Sequence, residues 1–256
     1  MLGRTRLNIE TMPEVTNKNE QQRKLPVEPI KAVSLVDQVV DRVRDHIVEQ
    51  GLGAGDYLPS AQQLGSIFGV SRGVVREALT QLEAVGIVDI ANGRRPIVHR
   101  LEPNAMARAF DHGLATRQVT FRHIGTFRRT VECEAAVLAA SERTEDHLRR
   151  LDVAIKGLRN SLQDPKQFLV TDFELHAVIA QASGNPLYAI TTEALTMSIK
   201  SMIYDGLCSI TSLTEWKQIL KTHEGIVQAI HDRDAIKARK MMTRHFDEAL
   251  NRAALY

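Results

Sequence analysis

The sequence of 256 residues predicts a mainly α-helical protein in two parts, the first of which carries one small β-hairpin. Three observations support this fold class. Two short helical patterns joined by a tight turn precede two β-branched runs that flank a basic segment at 92–95. Apolar residues recur at helical spacing over most of the remaining chain. After Pro103 no strand pattern occurs. The first part therefore has the layout of a winged helix-turn-helix, and the second that of an antiparallel α-helical bundle.

Composition limits the classes of protein that the chain can represent. Hydrophobic residues make up 43% and charged residues 25% of the sequence, as in ordinary globular proteins. The formal net charge of +2 is too small to indicate nucleic-acid binding, so any DNA-binding cations must be collected on one face. Cys133 and Cys208 are the only cysteines and form no disulfide framework. No apolar run approaches the roughly 18–20 residues that cross a bilayer, so we expect a cytoplasmic protein with no membrane partner.

The same patterns divide the chain into three segments. Residues 1–30 are polar and unpatterned, and we expect them to form a disordered arm. Residues 31–102 are expected to form the winged helix-turn-helix domain. Residues 103–256 are expected to form an all-helical domain for effector binding and dimerisation, with a hinge around residues 101–120.

Capping residues mark the three helices of the first part. Ser34 begins the first helix, and Gly51 ends it. Ser60 and Gln63 form a capping box for the second helix, and Ser71 caps the third. Each cap stands directly before a run with helical apolar spacing, which predicts the boundaries of all three helices.

The third helix has one apolar side and one polar side. Its apolar residues recur at helical spacing, so Gly73, Arg76 and Thr80 point away from the core. Arg72 stands at the start of the same helix. Two arginines at the head of a short helix suit guanine edges and phosphates in a DNA major groove.

A β-hairpin is predicted after the third helix. Its strands are Ile87–Ile90 and Ile97–His99, both rich in β-branched residues. Between them stands Asn92-Gly93, the pair that a tight type I′ turn prefers. The hairpin therefore forms a wing with a basic tip at Arg94 and Arg95.

Six helices are predicted in the second part. Thr144 caps the second of them, Asp164-Pro165 opens the third, and Asn185-Pro186 occupies the N-cap and N1 positions of the fourth. The apolar stripe of the first comprises Ile124, Phe127, Val131, Ala135 and Leu138, that of the second comprises Leu148, Leu151, Ile155 and Leu158, and the fifth and sixth run over about 213–230 and 234–253.

Four polar side chains from three helices point into the bundle interior. Asp172 and His176 are four residues apart on one helical face, and His223 and His245 lie on apolar stripes of the last two helices. Imidazole with carboxylate suits Zn, Ni, Mn or Fe more than Ca or Mg. The alternative is that the histidines are hydrogen-bonded core residues. Unpaired polar groups in a core cost about 1–3 kcal/mol each, so some partner must satisfy them.

Arg128 and Glu132 are also four residues apart, on the first helix of the bundle. One interpretation is an ordinary surface ion pair worth a few tenths of a kcal/mol. The other is that Arg128 faces a cavity and binds the carboxylate of a ligand in bidentate fashion. Spacing does not choose between them.

From Ser34 onwards the chain resembles the GntR family of bacterial transcription regulators, in its FadR-like branch with an all-helical, FCD-type effector domain. In the first part the resemblance is carried by Leu58-Pro59-Ser60, Val70-Ser71-Arg72, Val75-Arg76-Glu77-Ala78-Leu79, Leu82-Glu83 and Gly86-Ile87-Val88. In the second part it is carried by Arg128 to Glu132, Asp172 to His176, Ala182 to Pro186, His223 to Ile226 and Met242 to His245.

The resemblance implies roles for particular residues. Asp172, His176, His223 and His245 match the metal-ligand positions of metal-binding members, and Arg128 matches an arginine that meets the effector carboxylate. Glu132 is expected to bind the effector together with Arg128. DNA contacts are expected from Arg72 and Arg76, from Gly93 in the minor groove, and from Gln62, Ser71, Gly73 and Arg94.

The chain departs from the family pattern in the second helix of the first part. Gln62 stands where the family usually carries an arginine that helps to bind DNA. Glutamine can still bond a base edge or a phosphate but brings no charge. Gly73, on the following helix, offers no side chain to a base.

The expected function is a ligand-controlled transcription regulator, in this family most often a repressor, and not an enzyme. We expect a homodimer on a palindromic operator, with a small organic acid bound at a divalent transition metal, Zn first and Ni, Mn or Fe as alternatives. The competing hypothesis is a metal-dependent hydrolase-like enzyme that uses the Asp/His₃ site. A third is a winged helix that contacts only other proteins.

Overall fold

The structure is a computed structural model and describes residues 34–91 and 94–253. Within these ranges it contains ten helices and one two-stranded antiparallel sheet. The predicted arm at 1–30 and the pair Asn92-Gly93 lie outside the described residues. No helix in the described ranges is long and apolar enough to cross a membrane.

The first part contains three helices and the hairpin, as predicted. They are α1 (Leu35–Glu49), α2 (Ala61–Phe68), α3 (Arg72–Ala84), β1 (Val88–Asp89) and β2 (Ile97–Val98). The predicted caps are confirmed: the hydroxyl oxygens of Ser34, Ser60 and Ser71 each accept a hydrogen bond from a backbone N–H in the first turn. The Gln63 side chain accepts from the backbone N–H of Ser60 at 2.9 Å, which completes the capping box.

The turn between α2 and α3 depends on a close backbone approach. A Cβ at Gly65 would lie 2.9 Å from the carbonyl oxygen of Val70, so a side chain there would displace the turn. Gly69 ends α2 in the left-handed conformation, at φ 69°. Next to this turn, the three helices pack around one apolar core. Its members are at most 2% exposed and include Leu58, Leu64, Val75, Ala78, Leu79 and Leu82.

The two strands are shorter than predicted. Ile90 lies outside β1 because its backbone N–H donates to the Glu83 side chain at 3.0 Å, and Pro96 before β2 has no N–H to donate. Val88 pairs with Val98. A two-residue turn at 92–93 would have paired residue 88 with 97. The observed register therefore leaves one more residue between the paired positions than a two-residue turn at 92–93 would.

The second part is an antiparallel helical bundle. Its helices are α4 (Asn104–Ala115), α5 (Phe121–Glu142), α6 (Glu145–Asn160), α7 (Pro165–Ala182), α8 (Pro186–Cys208), α9 (Leu213–His231) and α10 (Ala235–Ala253). The caps at Thr144, Asp164 and Asn185 are confirmed. The only tryptophan, Trp216, lies in the bundle core with its ring edge against Phe168, 5.0 Å between centroids.

Two expectations for the bundle were wrong. It contains seven helices in the described residues rather than six, because the segment around residues 101–120 includes helix α4. This helix packs on α8, where the Ser198 hydroxyl donates to the carbonyl of Ala107 at 3.3 Å, and the hinge in this segment stays a prediction. No side chain caps the start of α4, so the signal that marked the other helices is missing. Phe127 is 50% exposed rather than part of the core stripe. The buried face of α5 instead includes Arg128 and Glu132.

Candidate functional site

A concave basic surface lies between α2, α3 and the hairpin, and we call it the basic groove. Among the residues that line it are Gln62, Arg72, Arg76 and Arg94, all exposed. In the described ranges no carboxylate forms an ion pair with any of these three arginines. Four of the predicted DNA-contacting residues therefore share one surface, and its arginines form no ion pair with any acid that the structure describes.

Arg95 supports the basic groove rather than extending into it freely. Its Nε donates to the carbonyl of Leu58 at 2.8 Å, and its guanidinium carbon lies 5.6 Å from the centre of the Tyr57 ring. These contacts connect the hairpin to the segment before α2. The hydroxyl of Ser71 is occupied by capping α3 and is absent from the groove lining.

Gly73 is exposed near the head of α3. A Cβ at this position would meet only the Ser71 hydroxyl oxygen, at 3.7 Å, so the fold itself does not require glycine there. Gly93, the other predicted DNA-contacting glycine, lies outside the described residues. The N-terminus of α3 also presents backbone N–H groups, which favour phosphate binding.

The predicted metal ligands come together in the bundle. Asp172 and His176 extend from α7, His223 from α9 and His245 from α10, and all four are at most 9% exposed. The ligand nitrogens of the three histidines lie within 4.8 Å of one another. Such a spacing is compatible with three ligands of one ion.

The hydrogen bond of His223 shows which ring nitrogen faces the cluster. Nδ1 lies 2.9 Å from the carbonyl oxygen of Ile219, and because a carbonyl only accepts, Nδ1 carries the proton. The other ring nitrogen, Nε2, lies 2.8 Å from Oδ1 of Asp172 and forms no hydrogen bond of acceptable geometry with any described residue. A ring nitrogen and a carboxylate oxygen therefore face each other in a buried site.

His176 has the same arrangement with a different outer partner. Its Nδ1 donates to the Glu132 carboxylate, and its Nε2 lies buried without a hydrogen-bond partner, 3.7 Å from Oδ1 of Asp172. Metal-ligating histidines usually donate their outer N–H to a carboxylate or a backbone carbonyl. His176 and His223 satisfy this rule with one partner of each kind.

The acidic and basic groups of the cluster perturb one another. Burial raises the pKa of Asp172, but the adjacent His176 and His223 outweigh it, and the pKa lies below its usual value. For Glu132, burial is likewise outweighed by Arg128 and His176, which lower the pKa. Burial, followed by repulsion from the other two histidines, lowers the pKa of His245 well below 6.5. Both carboxylates are ionised and His245 is neutral at neutral pH, as metal ligation requires.

Arg128 and Glu132 form a buried pair, so the surface ion-pair interpretation is wrong. The two residues are 3% and 1% exposed, and Nε of Arg128 donates to Oε1 of Glu132. The Arg128 guanidinium carbon lies 5.5 Å from the centre of the Phe246 ring. Nη2 of Arg128 is buried without a hydrogen-bond partner. This arginine retains a free donor.

A pocket joins Arg128 to the metal-ligand cluster. It encloses about 90 Å³, several times the volume that one buried water needs. Its polar lining includes Asp172, His223 and His245, and its apolar lining comes mainly from α8 and α10. Glu132 is absent from the lining because its two oxygens are bonded to Arg128 and His176. Both oxygens of Glu132 thus face protein groups, and the expectation that it binds the effector stays a prediction.

The pocket also contains an arginine that the sequence analysis missed. Arg252, near the end of α10, lines the same cavity. It lies seven residues after His245, so helical spacing places both on one face. The seven-residue spacing from His245 was the sequence signal that could have identified Arg252.

The donor set fits a divalent transition metal. Two buried imidazole nitrogens lack hydrogen-bond partners, a third imidazole is neutral, and a carboxylate lies among them. Nitrogen and carboxylate ligands in this number favour zinc or a neighbouring first-row ion over calcium or magnesium.

Comparisons with known proteins agree with this two-part arrangement. The family model "Bacterial regulatory proteins, gntR family" matches residues 35–98, and the model "FCD domain" matches residues 123–248. The HTH-type transcriptional repressor NanR of Cronobacter sakazakii is 30% identical over 239 residues, which cover 88% of this chain and 87% of that protein. NanR of Salmonella typhimurium is 28% identical, covering 88% and 86%. A solved structure of a Streptococcus agalactiae GntR has the same fold, with a TM-score of 0.65 at 24% identity, covering 85% of this chain and 99% of that one.

Proposed function

Because the chain belongs to the gntR family of bacterial regulatory proteins and carries an FCD domain, we propose that it is a transcriptional repressor controlled by a small carboxylate effector. Proteins of this family are DNA-binding regulators, so the chain is not an enzyme. The effector would bind in the pocket of the bundle beside a divalent metal, zinc first among the candidates.

The observation that carries the effector site is a set of buried polar atoms without partners. Nε2 of His176, Nε2 of His223 and Nη2 of Arg128 lack hydrogen-bond partners among the described residues, and Arg128 and His223 line the pocket. Leaving three such groups unsatisfied would cost several kcal/mol at about 1–3 kcal/mol each. A metal satisfies the two nitrogens, and an anion satisfies the guanidinium.

Asp172, His176, His223 and His245 would hold the ion, which would offer a Lewis-acidic position to a carboxylate oxygen when bound. Arg128 would bind the same carboxylate or a neighbouring oxygen through Nη2. Glu132 orients Arg128 and His176 by accepting a hydrogen bond from each. Apolar side chains from α8 would line the pocket around this contact.

The basic groove would contact the operator. We assign base or phosphate contacts to Arg72 and Arg76, with Gln62 and Arg94 on either side. Gly73 allows the duplex to approach the backbone of α3, and Ser71 contributes by capping that helix. A homodimer would place two such grooves about one DNA turn apart on a palindromic site. An effector that binds the free form a hundredfold more tightly supplies about 2.7 kcal/mol of coupling in favour of release.

Elemental analysis of protein purified without chelator tests the metal site. We expect about one transition-metal ion per chain. His223→Ala should lose it and abolish the effect of carboxylates on DNA binding. The control is His231→Ala on the same helix, where the side chain is partly exposed and pairs with Asp152 at 3.0 Å. If His223→Ala unfolded the bundle and no preparation ever contained metal, the histidines would be core residues only.

Mobility-shift titrations on the region upstream of its own gene test the DNA assignment. Specific binding that decreases steeply with salt is expected for a groove of unpaired arginines. Absence of any shift at low salt would favour a winged helix that contacts only proteins.

A further inference from the structure

A second arginine in the pocket has no ion-pair partner among the described residues. Arg252 is half-buried and lines the cavity with Arg128. Within the described residues no carboxylate lies within 4.0 Å of its guanidinium nitrogens. Glu248, one turn earlier, is bonded to Arg244 at 2.8 Å and to the hydroxyl of Thr222 at 3.2 Å. Arg252 is thus a cation in the pocket wall, and the acid one turn before it is bonded to two other side chains.

Along α10, Arg252 comes about two turns after the metal ligand His245. His245, Ala249 and Arg252 share one face, and seven residues at 1.5 Å rise separate the backbone positions of the first and last by about 10 Å. Apolar side chains line the same cavity: Met202, Ile203, Leu207, Ala249 and Leu250. The pocket therefore combines two arginines and the ligand residues with apolar walls.

The surroundings of Arg252 make an anionic partner favourable. Burial lowers its pKa, an effect that Glu248, Glu215 and Asp172 oppose, and a guanidinium stays charged at neutral pH in any case. A partly desolvated guanidinium is best satisfied by a carboxylate or phosphate that accepts two parallel hydrogen bonds. A monocarboxylate bound at Arg128 would leave this cation unsatisfied.

We propose that the effector is an elongated dianion, with one carboxylate at Arg128 and the metal end and a second anionic group at Arg252. This inference rests on the proposed effector pocket and specifies the class of its ligand. The apolar walls suit a short methylene chain between the two charged groups. Arg252 is then a specificity-determining residue that selects diacids against monoacids of equal length.

Calorimetric titration of the full-length, zinc-loaded protein with matched acids tests this. The pairs are succinate and butyrate, glutarate and valerate, and adipate and hexanoate, which differ only in the second carboxylate. At the best chain length the diacid should bind at least tenfold more tightly than its monoacid. Arg252→Gln should bring that ratio close to one. Arg239→Gln, on the same helix, outside the pocket lining and paired with Glu134 rather than Glu248, should leave the ratio as it is.

Three results separate the inference from the function on which it rests. A ratio near one in the unaltered protein, with measurable binding of monoacids, overturns the dianion inference and leaves the effector pocket intact. A ratio that survives Arg252→Gln overturns the role of Arg252. Failure of all six acids to bind the zinc-loaded protein overturns both the inference and the proposed carboxylate effector.

Discussion

The basic groove and the effector pocket both depend on arginine, but they place it in opposite environments. Arg72, Arg76 and Arg94 are exposed and form no ion pair in the described ranges, whereas Arg128 is 3% exposed and bonded to Glu132. An exposed charge costs folding little and remains available to a polyanion. A buried charge must be compensated by its neighbours, so its function and the stability of the bundle are inseparable.

The largest effect should come from breaking the buried pair. Arg128→Met leaves Glu132 without its cation and should lower the free energy of unfolding of the metal-free bundle by about 3–5 kcal/mol. Urea unfolding followed by fluorescence of Trp216, which reports on the bundle, measures it. Arg129→Met is the matched control, because the pair of Arg129 with Asp247 is exposed and worth about 1 kcal/mol or less. Equal losses of unfolding free energy in both variants would show that the buried pair stabilises the bundle no more than the exposed pair does.

The groove should respond in DNA affinity and not in stability. Arg76→Ala should weaken operator binding by about 1–3 kcal/mol and leave the Trp216 unfolding curve unchanged. Fluorescence anisotropy at several salt concentrations gives both the affinity and the salt slope. Arg149→Ala, on α6, is the control for loss of an exposed arginine.

The converse change restores a missing charge to the groove. Gln62→Arg adds a cation to a surface already lined by Arg72 and Arg76. If the new side chain contacts a phosphate, the slope of log K against log salt concentration should become steeper by about 0.9. An unchanged slope would place Gln62 away from the DNA backbone.

Acid should destabilise the pocket before it affects the groove. Since the folded pKa of His245 lies below its ordinary 6.5, the unfolded chain takes up the proton first as the pH falls. The stabilisation of the folded state that follows from this difference is fully present above pH 6.5. It is lost as the pH falls below 6.5, by at most about 1.4 kcal/mol per pH unit. The lowered pKa values of Asp172 and Glu132 act only nearer their ordinary 3.8 and 4.5.

Thermal unfolding of chelator-treated protein between pH 7.5 and 5.5 follows this loss. His245→Gln should flatten the curve, and His112→Gln, an exposed variant on α4, should not. A metal-free protein whose stability is constant over this window would contradict the direction given for His245.

The smallest expected effect separates folding from DNA contact at one residue. Gly73→Ala should stabilise α3 by about 0.5–1 kcal/mol, because alanine is the better helix former and the site has room for a Cβ. If the duplex approaches α3 closely, the same change weakens operator binding. Improved stability with unaltered affinity would exclude a close approach at Gly73.

Local sequence signals predicted most of the fold. The serine and threonine caps, the Asp164-Pro165 start and the Asn185-Pro186 start each place polar atoms beside the backbone groups of their own helix, so no tertiary information was needed. Helix α4 was missed because no side chain caps its start. The strands were predicted too long because Glu83, seven residues away, bonds the N–H of Ile90.

The effector pocket was predictable only in part. The ligand residues follow from helical spacing, which requires Asp172 and His176 to share a face. The pairing of Glu132 with both Arg128 and His176 depends on how α5 packs against α7, so spacing along one helix left its role open. Phe127 was misplaced for a related reason: α5 is covered on several sides and buries a polar face.

The carboxylate that Arg128 and His176 share has a regulatory consequence under the proposed function. An anion that draws the guanidinium towards itself weakens the hold of that guanidinium on Glu132, which can then polarise the imidazole more strongly and make it a better donor to the ion. By reciprocity, the bound metal would strengthen binding of the effector, and the bound effector would strengthen binding of the metal. A bacterium starved of zinc and one deprived of the organic acid would then produce the same transcriptional output.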